Sequence, residues 1–589
     1  MMTPEDLIEF LLAERRESEK QQQFYKLLSD EAMSQLGRAI TGLEVVTTKG
    51  NVITLECSHN ESRIRPGSHV SLFVREHSRL MGEVVAVEDA GKVLSVAVGK
   101  VADDLFSGPW SMVEVERDFT ILVLQAIKKL QPGASGWSFF RSLCEEGGKI
   151  IERRVTKPTE RQQVVDRLIQ ELPVQIDVSQ CDALKACVNE PAVLGVQGPP
   201  GTGKTNLLAM VAESLARLGR RVLIVAPTHQ AVNNSLAAIN SLFPARKLVK
   251  VGNALRRESL PDDVECQVLK VAVRNDSSRT SSEQVIGMTF LSALQHLAVQ
   301  ASGLAPNVIL IDEAGQLPLC QGMCTGLFGA GSTLLFGDDL QMPPVFTSER
   351  GSSPLATSLF SRLRHCHPAS ILMLNTSYRL NSEICDFIAE SFYGGAGRLI
   401  AAESSRDRRL SVALGGNTVT ASFSRQILQA EKSLIWIRST DDGSRQLNLR
   451  EAEAVAQLAI HAIQSGLHPN QLAIVTPYRR QAAAIRRIIQ YQLVNLSANL
   501  PIIDTVERVQ GLTVEFVIIS MCTTDADYAS EVAGFIFSPN RLNVAVSRAR
   551  TKVVIFACEE ILNALPTDYE GLIALKKFRE SLLTMYALS

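Results

Sequence analysis

Hydrophobic residues recur at helical spacing at the start of the chain. Leu7, Ile8, Leu11 and Phe24 stand among many charged side chains. Apolar positions three and four residues apart share one face of a helix. The pattern therefore predicts a long amphipathic helix over residues 4–36.

The pattern changes between residues 39 and 100. Short segments of alternating character, such as GLEVVTT, VITLECS, HVSLFVRE and LMGEVVAVE, are separated by Gly, Asn, Ser and Asp. Several short strands at this spacing are typical of a small β-barrel. Helical periodicity returns over residues 114–173 and is interrupted by the Pro- and Gly-containing run at 132–136.

From about residue 175 the pattern is strand, loop, helix. The apolar runs AVLGV, RVLIVAP, NVILID and STLLFG are short and bounded by Gly, Pro or Asp, as buried parallel strands are. A second series begins near residue 370 with SLIWIRS, QLAIVTPY, EFVIIS and KVVIFAC. We expect an α/β fold with two such units in tandem, and an insert at about 240–285, where a charged segment interrupts the first series.

One loop carries a phosphate-binding pattern. Residues 198–205, GPPGTGKT, fit G-x-x-x-x-G-K-[ST], with an apolar strand before them and a helical pattern after them. Glycines let backbone N–H groups curl around phosphate oxygens at a helix N-terminus. Lys204 is expected to reach the β- and γ-phosphates, and the Thr205 hydroxyl to bind Mg²⁺. The predicted phosphate-binding residues are Gly198, Pro199, Pro200, Gly201, Thr202, Gly203, Lys204 and Thr205.

Carboxylates follow two later strands. In NVILIDEAGQ, Asp312 suits Mg²⁺, which takes a few carboxylates together with phosphate oxygens, and Glu313 suits a general base toward the attacking water. In FGDDLQMPP, Asp338 and Gln341 are candidates for sensing the γ-phosphate. For this second segment, a polar turn stiffened by prolines is the alternative.

The second α/β series supplies cations at strand ends. Ser377-Tyr378-Arg379 and the run from Asn540 to Arg550, which contains Arg548, place guanidinium groups there. An arginine from another domain can neutralise charge on a transferring phosphoryl group. For each arginine taken singly, a surface or ion-paired position is the alternative.

Bulk composition leaves these interpretations open. The chain has 589 residues, 60 Lys and Arg against 62 Asp and Glu, and a formal net charge of −2. Its length suggests three or four domains, and any basic surface for nucleic acid must be local. No apolar stretch is long enough to predict a membrane helix, and the N-terminus lacks a secretory pattern. We expect a cytoplasmic, nuclear or nucleoid protein, neither secreted nor membrane-bound.

The eleven cysteines are scattered without a Cys-x-x-Cys pair. Cys320 and Cys324, and the cluster His365-Cys366-His367, come nearest to metal-ligand spacing, but neither has a matching second half. Buried, reduced thiols are the simpler interpretation.

Taken in order, these segments resemble superfamily 1 helicases of the 5′-to-3′ branch that contains the up-frameshift RNA helicase and the immunoglobulin-mu-binding helicase. The likeness runs from Ser179-Gln180 to Arg550 and includes the following segments: APTHQAVNN, IGMTFLSA, DEAGQ, GDDLQMPP, SYRLNSEICDFIAESFYGG, NLREAEAV, IVTPYRRQ, DTVERVQG and NRLNVAVSRAR.

The resemblance implies two RecA-like P-loop domains in tandem, with an N-terminal helical stalk carrying the barrel. The domains expected from it are a stalk helix (1–38), a barrel (39–105), a helical stalk return (106–174), a first RecA-like domain (175–365, with the insert) and a second one (366–589). It also implies ATP and Mg²⁺ as cofactors and a motor that we expect to act as a monomer, with no expectation about protein partners.

The resemblance assigns further residues. Gln180 corresponds to the glutamine that reads the adenine edge, and Tyr378 to the aromatic residue that stacks on the base. Gln341, Arg379 and Arg548 correspond to groups that meet the γ-phosphate from both sides of the cleft. The residues implied to line the path of single-stranded DNA or RNA are Pro227, Thr228, Asn233, Thr289, Pro477 and Thr505. For each of these, a polar residue that caps a strand is the alternative.

Two positions depart from the family pattern. Thr513 stands where a glutamate is usual, and Val509 stands where an aromatic residue is common. The first departure puts in doubt the ribose contact, and with it a strict preference for ATP, but leaves the phosphate chemistry unchanged.

The expected function is an ATP-dependent helicase or translocase on single-stranded nucleic acid. One alternative is a nucleic-acid-stimulated ATPase that clamps nucleic acid or remodels its protein complexes without processive unwinding. Another is a nucleoside triphosphatase that acts on protein or small-molecule partners.

Overall fold

The computed structural model describes residues 2–58, 60, 62–74, 77–88, 92–99, 109–115, 118–134, 136–144, 158–252, 260–262, 264–267, 285–299, 306–347, 353–395, 398–412, 419–439, 443–493 and 500–588. Within these residues, no helix is both long and apolar enough to cross a bilayer.

The N-terminal region forms a stalk that rests on the first α/β domain. Its helices are α1 (Pro4–Lys26), α2 (Asp30–Gln35), α3 (Thr120–Ile127), α4 (Trp137–Cys144) and α5 (Pro158–Glu171). The predicted helix over 4–36 is divided, because Ser29 caps a new helix by accepting from the Ala32 N–H at 3.2 Å. Leu7 and Phe10 of α1 are buried in one cluster with Val123 of α3 and with side chains of the first α/β domain.

The stalk carries a closed antiparallel barrel with strand order β1-β2-β5-β4-β3-β6. Its strands are β1 (Ala39–Lys49), β2 (Val52–Glu56), β3 (His69–Val74), β4 (His77–Glu88), β5 (Val93–Val98) and β6 (Trp110–Glu114). Strand β6 pairs with both β1 and β3 and closes the barrel, so the barrel extends beyond the expected boundary at residue 105.

The first α/β domain is built on a parallel sheet of order β10-β9-β11-β8-β12-β13-β7-β14. Its strands are β7 (Val193–Gln197), β8 (Val222–Ala226), β9 (Leu248–Val251), β10 (Glu265–Gln267), β11 (Val285–Thr289), β12 (Val308–Ile311), β13 (Ser332–Gly337) and β14 (Ile371–Met373). Its helices are α6 (Val178–Val188), α7 (Lys204–Arg217), α8 (His229–Leu242), α9 (Phe290–Val299), α10 (Leu319–Gly322) and α11 (Leu359–Cys366).

Two features of this sheet differ from the expected division. Strands β9 and β10 fall within the interval 240–285, which we expected to be an insert, yet β9 pairs directly with β11. The rest of that interval lies mostly outside the described residues. Strand β14, beyond the expected boundary at 365, pairs with β7 and so belongs to the first sheet.

The second α/β domain has a parallel sheet of order β19-β18-β20-β21-β17-β22 and a two-stranded pair, β15-β16. Its strands are β15 (Thr376–Ser377), β16 (Ile400–Ala401), β17 (Leu434–Ser439), β18 (Leu472–Thr476), β19 (Ile502–Thr505), β20 (Val514–Ser520), β21 (Ala549–Cys558) and β22 (Tyr586–Leu588). Its longer helices are α12 (Ser382–Phe392), α14 (Val419–Gln429), α15 (Leu449–Gln464), α16 (Arg479–Gln492), α19 (Pro539–Val546) and α20 (Tyr569–Leu583), and its short ones are α13 (Glu403–Arg406), α17 (Ala526–Glu531) and α18 (Ala533–Ile536).

Two parallel sheets in tandem, preceded by a stalk and a closed barrel, confirm the predicted fold class. The cysteines discussed above lie in the packed interior. Cys320 and Cys324 are buried where the stalk meets the first domain, and the Cys366 thiol donates to the Leu143 carbonyl of the stalk at 3.4 Å.

Candidate functional site: the cleft between the two domains

Sheet topology brings the phosphate loop and the carboxylates together. Strands β12, β13 and β7 are parallel neighbours, with Ile311 paired to Leu335 and Phe336 paired to Val196. Their carboxyl ends therefore meet at one edge of the sheet, where ligands of open α/β sheets bind. Asp312, Asp338 and Gly198 are the first residues after these three strands.

The phosphate loop ends at the N-terminus of α7. Gly201 and Gly203 have φ values of +75° and +76°, a left-handed conformation that glycine adopts without strain. Gly203 is the N-cap of α7, so Lys204 and Thr205 begin the helix. The positive end of a helix and its free N–H groups attract anions. This is the predicted geometry of a phosphate site.

Lys204 is paired with both acidic residues. Its Nζ lies 3.1 Å from Glu313 Oε1 and 3.4 Å from Asp312 Oδ1. Burial alone would lower the pKa of Lys204, but the two carboxylates outweigh it and raise that pKa. Asp312 also accepts from the Ser235 hydroxyl at 2.8 Å. Ser235 was not identified from the sequence, because nothing in its helix distinguishes it from a core serine.

Glu313 has an unusual backbone conformation for a residue with a side chain. Its φ is +52°, and its Oε2 accepts from Gln316 Nε2 at 3.0 Å. Burial would raise the pKa of Glu313, but Lys204 outweighs burial and lowers it, so the carboxylate is held ionised. Strain of this kind persists where the surroundings over-determine the conformation. The side chain lines the cleft, and its role as a general base stays a prediction.

The second domain faces this loop directly. The Tyr378 N–H donates to the Gly201 carbonyl at 2.9 Å, and the Ser377 hydroxyl donates to the Pro200 carbonyl at 2.8 Å. A Cβ atom added to Gly201 would lie only 2.4 Å from the Arg379 Cβ. The loop and the second domain are therefore in tight contact, and only glycine fits at residue 201.

Arg379 and Arg548 are among the second-domain arginines that line the cleft. Arg379 donates to the Ser547 carbonyl at 3.1 Å, and its pKa is lowered by burial and by the neighbouring Arg548. Arg548 donates through Nη2 to Gln341 Oε1 at 3.4 Å, and burial lowers its pKa, while Glu313 acts in the opposite direction. Burying like charges without a matching anion is costly. A triphosphate between the domains would compensate both groups.

The predicted base-binding residues are held by Asp177. The Tyr378 hydroxyl donates to Asp177 Oδ2 at 3.0 Å, and burial and Asp177 raise the pKa of Tyr378 to about 12. Gln180 lies in the capping box of α6: its Oε1 accepts from the Asp177 N–H at 3.2 Å, and its Nε2 donates to the Thr202 carbonyl at 2.9 Å. The side-chain amide of Gln180 must exchange one of these bonds to read a base.

One continuous cleft of about 2020 Å³ contains the phosphate loop and extends beneath the barrel. Pro227, Thr228 and Thr289 line it, because β8 and β11 end at the same sheet edge as β12. The Thr228 side chain caps α8, and the Thr289 hydroxyl is 2.8 Å from that of Ser292. These three predicted residues lie together with the nucleotide site.

The other three predicted strand-binding residues lie apart from the lining of this cleft. Asn233 is fully buried within α8 and does not line the cleft, and its contact with nucleic acid stays a prediction. Pro477 follows β18 and is half-buried, and Thr505 is the last residue of the neighbouring strand β19 and is buried. Their contact with nucleic acid stays a prediction.

A basic cluster at the barrel was not predicted from the sequence. Arg65 of the barrel and Arg508 of the second domain both line the cleft, and burial together with Arg508 lowers the pKa of Arg65. Burial, Arg508 and Arg63 likewise lower the pKa of Arg479 to about 10. Asp504 and Glu114 partly offset the positive charge. Arg479 and Arg508 lie in segments that the resemblance included, whereas Arg65 gave no sequence signal.

Comparisons with known proteins agree with this geometry. Two family models, each described as an AAA domain, match residues 175–350 and residues 355–560. A regulator of nonsense transcripts 1 homolog from Arabidopsis thaliana is 26% identical over 579 residues, covering 89% of this chain and 44% of that protein.

Two further relatives are helicase/nucleases. The DNA replication ATP-dependent helicase/nuclease JHS1 of Arabidopsis thaliana is 24% identical over 63% of this chain and 27% of its own length. The corresponding protein dna2 of Schizosaccharomyces pombe is 26% identical over 66% of this chain and 28% of its own length. The chain thus spans less than half the length of these curated relatives.

Among solved structures, the arterivirus nonstructural protein 10 helicase aligns over 88% of this chain with 14% sequence identity and a TM-score of 0.37. The two matched domain models and the partly covered relatives point to the same kind of protein. By these matches the chain is similar to superfamily 1 helicases, in the group that contains the regulators of nonsense transcripts 1 and the DNA2-type helicase/nucleases.

Proposed function

We propose that this protein is an ATP-dependent helicase or translocase that moves 5′-to-3′ along single-stranded nucleic acid. One observation carries the proposal: Arg379 and Arg548 of the second domain face the phosphate loop and Glu313 of the first, in a cleft that continues to the strand ends at Thr228 and Thr289. A single chain supplies every one of these groups, which supports a monomeric motor.

The geometry supports a direct route for ATP hydrolysis. The phosphates lie against the N-terminus of α7, and Lys204 moves from the carboxylates to the β- and γ-phosphates. Glu313 accepts a proton from the attacking water. The oxygen of that water bonds to the γ-phosphorus, and the bond between the γ-phosphorus and the β–γ bridging oxygen breaks. Arg379 and Arg548 balance the charge on the transferring group, an effect of about 10³–10⁵ in rate in other systems.

The residues also fit Mg²⁺. Asp312 is buried beside the phosphate loop, and Thr205 begins α7 next to Lys204, so a carboxylate and a hydroxyl flank the phosphate position. Mg²⁺ takes hard oxygen ligands and usually keeps several from water and phosphate. When bound there, Mg²⁺ would neutralise phosphate charge and orient the β- and γ-oxygens.

The placement of the two domains on either side of the cleft supports movement of the protein along the strand. Binding of ATP draws Arg379 and Arg548 toward the phosphates, and release of phosphate weakens that attraction. Such a hinge closure shifts two conformations through their different affinities for ATP and ADP. Strand ends of both sheets then alternate in holding the sugar–phosphate backbone, which makes the grip largely independent of base sequence.

The test is ATPase turnover with single-stranded RNA, single-stranded DNA and duplex at fixed salt, followed by strand displacement on 5′-tailed and 3′-tailed duplexes. Stimulation by single strands and displacement from the 5′ tail are expected. Displacement from the 3′ tail alone would overturn the polarity. Stimulation without displacement would support a clamp or remodeller, and turnover indifferent to every polynucleotide would overturn the proposal.

A further inference from the structure

The segment Asp338–Met342 crosses from one domain into the other. It begins at the carboxyl end of β13 in the first sheet. Met342, at its far end, is 7% exposed and packs in the hydrophobic cluster of the second domain with Leu380 and Ile384. Movement of the second domain therefore acts on this segment directly.

Asp338 connects this segment to the phosphate loop. It is 5% exposed and accepts hydrogen bonds from Gln197 Nε2 at 3.2 Å, from Gln341 Nε2 at 2.6 Å and from the Leu340 N–H at 3.3 Å. Gln197 immediately precedes Gly198, and Gln341 accepts from Arg548. A buried carboxylate needs these donors, because each compensates its lost hydration.

The remaining donor to Asp338 comes from the second domain. Tyr393 follows α12 and is 4% exposed, and its hydroxyl donates to Asp338 Oδ2. Burial and Asp338 hold the pKa of this hydroxyl well above its usual range, so it remains a donor. Tyr393 is therefore a hydrogen-bond link between the buried carboxylate and the second domain.

Asn543 of α19 adds to the link, as does Asn540 of the same helix, whose Nδ2 donates to the Asp339 carbonyl at 3.1 Å. Asn543 Nδ2 donates to the Leu340 carbonyl at 2.8 Å and to the Tyr393 hydroxyl at 3.2 Å, and the residue is fully buried. Arg548 follows the same helix, and its Nε donates to the Val544 carbonyl at 3.0 Å. The helix that holds Asn543 against the segment thus also positions the arginine beside Gln341.

We propose that Tyr393 and Asn543 are positioning residues that hold the segment Asp338–Met342 so that Gln341 lies beside Arg548, and that they transmit the state of the nucleotide site to the second domain. This inference rests on the proposed function. The two residues act through Asp338 and Leu340, whereas Lys204 and Glu313 bind and cleave the nucleotide. Loss of the link therefore lowers kcat, which depends on groups of both domains, more than it weakens the binding of ATP.

The test is Tyr393→Phe, which keeps the buried ring and removes only the hydroxyl. Tyr491→Phe, at a residue 84% exposed on α16, is the matched control. ATPase turnover is measured with and without saturating oligo(dT) or oligo(U), and base pairs displaced per ATP are counted. For Tyr393→Phe, the KM for ATP stays within about twofold, while stimulated kcat falls about fivefold or more, the effect of one hydrogen bond. Base pairs displaced per ATP fall as well.

A second variant keeps the proposal testable if Tyr393→Phe folds poorly. Asn543→Ala removes another arm of the link, and the double variant should lose little more than the worse single one, because both act on one segment. The inference would be overturned if both single variants kept the wild-type kcat and the wild-type number of base pairs displaced per ATP. If no polynucleotide stimulates the wild-type protein, the proposed function fails, and the link is judged by whether basal kcat falls at unchanged KM.

Discussion

Lys204 Nζ lies 3.1 Å from Glu313 Oε1, so the cation of the phosphate loop is paired with the predicted general base. The pairing raises the pKa of Lys204 against the effect of burial and lowers that of Glu313 against the same effect. ATP must therefore compete with Glu313 for Lys204. In the proposed mechanism, binding of the triphosphate releases the carboxylate to meet the attacking water.

Glu313→Gln should separate nucleotide binding from hydrolysis. The amide keeps the shape of the side chain but cannot accept the proton, so kcat is expected to fall about 10²–10⁴-fold. The dissociation constant for ATP should stay equal or become lower, because the variant also removes a negative charge that competes for Lys204. Equilibrium binding of a fluorescent ATP analogue and steady-state turnover measure the two effects.

Lys204→Ala is the counterpart to this variant. It removes the only side chain of the phosphate loop that carries charge, so both binding and turnover should decline. A Lys204→Ala protein with near-wild-type turnover would show that catalysis occurs elsewhere. Loss of binding in Glu313→Gln would count against the role of Glu313 as a base.

Removing the Tyr378 hydroxyl should affect the nucleotide base and leave the phosphate chemistry intact. Tyr378→Phe breaks the 3.0 Å bond to Asp177 but keeps a ring for stacking, so KM for ATP is expected to rise a few-fold at unchanged kcat. Tyr378→Ala also removes the ring and should raise KM further. Comparing ATP with GTP, CTP and UTP shows whether the loss concerns the base. An equal change in kcat for every nucleotide would instead show that Tyr378 acts on the phosphate chemistry, together with the arginines, and not on the base.

The basic cluster beneath the barrel should bind backbone phosphates. Arg65→Ala and Arg508→Ala are each expected to weaken binding of single strands of any sequence and to reduce the slope of log K against log salt by about one. Arg579→Ala, on the exposed face of α20, is the control. Titration of labelled oligo(dT) and oligo(U) between low and moderate salt measures the slopes. Unchanged slopes in both variants would mean that the strand does not pass between the barrel and the second domain.

The sequence predicted those site residues whose positions follow from a local pattern and whose chemistry is distinctive. The phosphate loop, Asp312 and Glu313 follow strands whose apolar runs are unmistakable, and parallel pairing then requires their carboxyl ends to meet. The burial of Asn233 in α8 could not be predicted, because a motif gives the residue type but not the helix face on which it lies. Arg65 and Tyr393 could not be found, since their roles depend on contacts between separate domains. The division of the stalk helix at Ser29 was visible in principle as a capping residue.

The stalk should depend on a close backbone contact at Gly136. This glycine has a φ of +89°, and an added Cβ would lie 2.6 Å from the Gly326 carbonyl carbon in the first domain. Gly136→Ala is therefore expected to cost about 2–4 kcal/mol, from the left-handed conformation and from the clash together. Gly133→Ala is a matched control, because it has a φ of +84° with nothing within 4 Å and should cost only about 1 kcal/mol. Chemical denaturation of both variants measures the difference. Equal losses would show that backbone conformation, and not the contact between stalk and domain, sets the requirement for glycine.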